Sequence, residues 1–149
     1  VFDVLSSSNG DLALDLTGKI KFGTADEEKG LGTGEQDYSL QADVFRFFDQ
    51  ATLMGTAGYA FRGDPEAYDL EDTFFVSLGA SYATSDATSI GAFFDFREAS
   101  VPDSDSLQEL SAWVSTRVGA HGRVQLYALA GFVDSSPGWC GGLSCGTGF

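Results

Sequence analysis

Residues 11–22, DLALDLTGKIKF, set Leu12, Leu14, Leu16, Ile20 and Phe22 on one side of an extended chain. Asp11, Asp15, Lys19 and Lys21, with Ala13 and Thr17, fall on the other. Side chains alternate along a strand with period two, so this stretch reads as a strand with one oily and one charged face. The pattern returns along the chain. Further strands are expected over 37–47, 51–62, 73–84, 89–98, 107–118, 123–133 and 140–149. Their apolar series include Tyr38, Leu40, Ala42, Val44 and Phe74, Val76, Leu78, Ala80, Tyr82. The opening VFDVL reads as the end of a preceding strand, and SSSNG as the turn after it.

Connections alternate in length. Residues 23–36, 63–72, 99–106 and 134–139 are polar loops. The links near Asp49, at SDATS and at GAHG are short turns. Strands of about ten residues joined by alternating long loops and short turns suit an antiparallel up-and-down transmembrane β-barrel, here of about eight strands in one domain over 1–149. A soluble ligand-binding barrel alternates as strictly with its apolar side inward, so period alone does not separate the two. Charge placement favours the membrane form. Of the strand charges only Arg46 joins the apolar face, at a strand end from which its head group reaches water. Asp15, Lys19, Lys21, Asp43, Arg62, Asp95, Arg97, Glu109, Arg117 and Arg123 take the opposite face and are expected to line the lumen. Phe22, Tyr38, Phe61, Phe74, Phe96 and Phe132 gather at the long-loop ends, with Phe48, Tyr82 and Phe149 at the other, as two interfacial girdles.

Composition narrows the rest. No apolar run approaches the ~20 residues of a membrane helix, so insertion would use strands. There is no basic leader with an apolar core, which reads as a mature or an intracellular chain. A net charge of −14, from 22 acids and 8 bases, argues against nucleic acid as a partner. The acids of the long loops lack EF-hand spacing and read as a solvated surface, with no metal. GLGTG at 30–34 lacks the helix and Lys-Ser/Thr of a phosphate loop and reads as a hairpin loop. The single His121 has no Ser and acid partners to build a nucleophilic site, so neither an enzyme nor a cofactor is expected. If their segment is a strand, Cys140 and Cys145, five apart, point to opposite faces and do not easily pair; a disulfide would need a local loop there. Trp113 faces inward and is expected to plug the lumen.

The run TGKIKFGTADEEKGLGTGEQDYSLQADVF, residues 17–45, resembles the MetA-pathway phenol-degradation family of outer-membrane channels. GYAFRGDP at 58–65, SDATSIG at 85–91, FREAS at 96–100 and QELSAW at 108–113 extend the resemblance. It implies a Gram-negative outer-membrane barrel with periplasmic termini, surrounded by lipid and lipopolysaccharide. It also implies passage of small, often hydrophobic or aromatic solutes, and leaves room for association with other membrane subunits. A narrow lumen filled by structural salt bridges is the expected alternative, and makes the chain a scaffold barrel.

Overall fold

The computed structural model describes residues 10–24, 33–63 and 69–147, and the backbone of 2–6. Nine antiparallel strands follow one another in a single up-and-down sheet, each paired with its neighbours in sequence. They are β1 (Phe2–Ser6), β2 (Leu12–Lys21), β3 (Asp37–Phe47), β4 (Ala51–Phe61), β5 (Thr73–Ala83), β6 (Thr88–Arg97), β7 (Leu107–Val118), β8 (Gly122–Gly131) and β9 (Trp139–Thr147). The opening segment is thus a strand in its own right, bulged between Asp3 and Leu5 against β2. Among the described residues no ladder joins β9 back to β1. Among the described residues no helix is long and apolar enough to cross a membrane.

The short turns are built by local hydrogen bonds. Phe48 N–H donates to the Ala51 carbonyl at 2.8 Å, closing β3 onto β4. Between β5 and β6 the Ser85 hydroxyl accepts from the N–H groups of Ala87 and Thr88, at 3.3 and 3.1 Å, so a short polar side chain supplies the bend. In GAHG, Gly119 takes φ 66°, a left-handed conformation that glycine adopts without a Cβ clash. The 132–138 loop turns back on β7: the Ser136 hydroxyl accepts from Gln108 N–H at 3.1 Å. The 23–36 and 63–72 loops, GLGTG included, lie partly outside the described residues, as do SSSNG and the terminal Phe149.

The ladders preserve the expected sidedness across the sheet. Leu14, Val44, Gly55, Leu78, Phe94 and Leu110 stand in one cross-strand row on the apolar face. No apolar side chain is fully buried among the described residues. The apolar face is instead the open one: Leu40, Leu78, Leu126 and Leu143 keep 63, 61, 54 and 63% of their surface exposed. On the charged face the basic residues are mostly open, but the acids along its centre are more covered. Asp15, Asp43, Asp95 and Glu109 are only partly exposed, and Thr73 and Ser115 on that side are 1% exposed. A water-soluble sheet protein packs its oily face away from solvent; this sheet is the inverse.

Candidate lumenal face

All ten charged residues expected in the lumen do share one side of the sheet. Arg62 stands one residue beyond β4 and the others lie within strands. Their grouping follows register. Counting from loop ends separates Asp95 and Glu109 from Asp15 and Asp43. The ladders instead align Asp15 with Asp43, Asp43 with Thr56, Thr56 with Ser77, Ser77 with Asp95, and Asp95 with Glu109. The result is one acidic row with two hydroxyls at its centre.

Two of these carboxylates, Asp43 and Asp95, are held by neutral donors. Asp43 accepts from the Gln41 amide at 2.9 Å and the Thr56 hydroxyl at 2.6 Å. Asp95 accepts from the Ser77 hydroxyl. Among the described residues no ion pair ties Asp43, Asp95 or Glu109 to a base. Hydroxyl and amide donors orient a carboxylate without cancelling its charge, so the row presents a negative field to whatever occupies this side.

Beside the acidic row lies an aromatic band that alternation alone did not bring out. Phe75 pairs with Gly58, Phe93 with Gly79, Trp113 with Gly91, and Tyr127 with Gly142. In each pair the ring covers the glycine so closely that a Cβ there would collide with it. The rings therefore lie along the wall. Trp113 does not stand off the sheet as a plug would: its indole occupies the space that Gly91 leaves open on the neighbouring strand. The signal was the recurrence of glycine on the polar face, readable only once register is known. Phe45 and Phe47 extend the band on β3, ring centroids 6.3 Å apart and nearly parallel.

The long-loop end of β2 to β4 carries the basic group. Lys19 aligns with Ser39, Ser39 with Ala60, and Ala60 with Thr73. Lys21 pairs with Asp37 at 2.8 Å and donates to the Thr33 hydroxyl at 3.3 Å. Asp37 also accepts from Gly63 N–H at 3.2 Å, and Arg62 N–H donates to Asp72 at 2.9 Å, which fixes the chain as it leaves β4. Lys19, Lys21, Asp37, Ser39, Ala60 and Arg62 line a half-open cavity of about 290 Å³.

At the short-turn end, Arg117 stands directly opposite Arg123, which donates to the Ser115 hydroxyl at 3.1 Å. Arg97 ends β6 at the opposite, long-loop end and is exposed. His121 lies in the turn adjoining Arg117 and Arg123. Among the described residues no group of three or more metal-ligating side chains converges. Cys140 faces Leu129 and Cys145 faces Val124, on opposite sides of β9, and both thiols are free. On the apolar face Arg46 reaches Asp11 at 3.4 Å and lies over the Phe48 ring at 5.6 Å, so the one outward base is held at the strand end.

The chain matches no known family model, and no curated protein is detectably similar to it.

Proposed function

We propose that this sheet is the wall of a β-barrel in a Gram-negative outer membrane. Its apolar face meets lipid, its short turns face the periplasm, and its charged and aromatic face lines a passage for small molecules. The observation that carries this reading is the inverted exposure: leucines and aromatics on every strand from β2 to β9 stay open on one face, while carboxylates and hydroxyls along the centre of the reverse face are more covered. An apolar surface of this extent calls for an apolar medium or partner. The placement of Tyr38, Phe61 and Phe74 at one edge and Phe48 and Tyr82 at the other supports lipid as that medium.

The face itself suits amphipathic solutes. Rings lying against the wall offer apolar contact without filling the passage, and the adjacent acids keep it wet. A scaffold barrel, the second reading, would seal its interior with paired charges. Among the described residues the central acids Asp43, Asp95 and Glu109 are not paired in that way. The test is reconstitution of the purified protein in planar lipid bilayers. Stepwise single-channel currents are expected. Insertion without current steps or solute flux would leave the scaffold reading, and a protein monodisperse in buffer without detergent would remove both.

A further inference from the structure

We infer that the basic corner formed by Lys19, Lys21 and Arg62 is a binding site for a small oxyanion, a carboxylate or phosphate group. The inference goes beyond passage through the lumen, since it needs the fold of β2 to β5 and not conduction. The chain carries 22 acids and 8 bases, yet three of those bases line one cavity of about 290 Å³ in which Asp37 is the single acid. Lys21 is committed to that acid through its 2.8 Å ion pair. The Lys19 ammonium and the Arg62 guanidinium make no ion pair among the described residues. Among the described residues Lys19 has no acid partner and Arg62 acts on Asp37 only through its field, so the corner keeps a net positive charge beside an open space.

Unmet hydrogen-bonding capacity lies at the same corner. Arg62 Nε and Thr73 Oγ1 are the buried side-chain polar atoms that lack a partner among the described residues. Thr73 aligns with Ala60 in the β4–β5 ladder, and Arg62 is two residues beyond Ala60. A buried donor left without an acceptor is destabilising, the more so for a charged group. A site that retains one beside free charge is poised for an acceptor from outside. The geometry fits a small group. Lys19 and Ala60 lie two strands apart with Ser39 between them, a span of about 10 Å, which two long basic side chains can close around an oxyanion. The short Ala60 side chain leaves the floor open, the Ser39 hydroxyl adds a neutral donor, and the guanidinium offers its planar fork to two oxygens.

The experiment is titration of the full chain, in a zwitterionic detergent, with inorganic phosphate and separately with acetate, followed by calorimetry and, for phosphate, by ³¹P line broadening. Saturable binding of at least one probe is expected. It should weaken at least tenfold in Arg62→Gln and in Lys19→Gln, recover in part in Arg62→Lys, and stay unchanged in Arg46→Gln, which removes an outward base. Should Arg62→Gln fail to fold, the exposed Lys19→Gln decides alone. Absence of saturable binding, or equal binding by wild type and Lys19→Gln, overturns the site. Because binding is read without a bilayer, its failure is distinct from a failure to conduct.

Discussion

The Trp113 indole on β7 lies over Gly91 of β6, its direct ladder partner, so closely that a methyl group on that glycine would sit 2.6 Å from the ring. Glycine here makes room for a ring. The same pairing of a ring with an opposed glycine recurs at Phe75, Phe93 and Tyr127, and turns a polar face into one with an aromatic band. Such pairs restore contact that a bare glycine strand lacks.

Substitution Gly91→Ala should therefore push the indole off the wall and destabilise the fold by about 1–3 kcal/mol, the usual range for overpacking. With Trp139 replaced by Phe, the Trp113 emission should shift to longer wavelength as the ring enters the lumen. An unchanged spectrum with unchanged stability would show that the ring does not rest on Gly91.

Neighbouring residues on opposite faces should respond differently to charge. Leu16→Arg places a cation on the apolar face near mid-strand and should destabilise the membrane-folded protein by about 2–4 kcal/mol. Thr17→Arg places it on the lumenal face, where the effect should be well below that. Urea unfolding in lipid vesicles measures both, and equal effects would contradict the sidedness.

Much of the fold is legible in the alternation. The strands over 37–47 and 107–118 have the bounds expected from pattern, and those ending near 62, 84 and 133 stop one or two residues earlier in the ladders. Ends move because the last residues of a strand belong to it only where a partner lies opposite. Register is less legible. Period two tells which face a residue takes, not which residue it meets, so the alignment of Asp43 with Thr56, and of Ser77 with Asp95, emerges only from the ladders. The same limit hid the aromatic band and made Trp113 look like a plug. The basic corner was half visible: Lys19, Lys21 and Arg62 share a face and an end in sequence, but the unsatisfied Arg62 Nε depends on packing.

The acidic row should set ion preference. In a tenfold KCl gradient across a bilayer the wild-type reversal potential should have the sign of a cation-preferring pore. The double variant Asp43→Asn, Asp95→Asn should move it toward zero, since neutral amides keep hydrogen bonds to Thr56 and Ser77 while removing charge. No movement would assign selectivity to other residues.

The cysteines offer a check on β9. Cys140 lies on the charged face and Cys145 on the apolar face, both as free thiols. A charged maleimide should label Cys140 in vesicle-reconstituted protein much faster than Cys145, and mild oxidation should form no Cys140–Cys145 disulfide. Ready formation of that disulfide would mean that β9 is not a strand there.

The central claim, that the leucine face meets lipid, is tested most directly by depth-dependent quenching. Leu40→Trp and Gln41→Trp are made singly in a background where Trp113 and Trp139 are Phe, and reconstituted in vesicles of brominated lipid. The account predicts strong quenching at position 40 by bromine in the acyl chains and little at position 41. Quenching of position 40 by aqueous acrylamide, with none by brominated lipid, would contradict it.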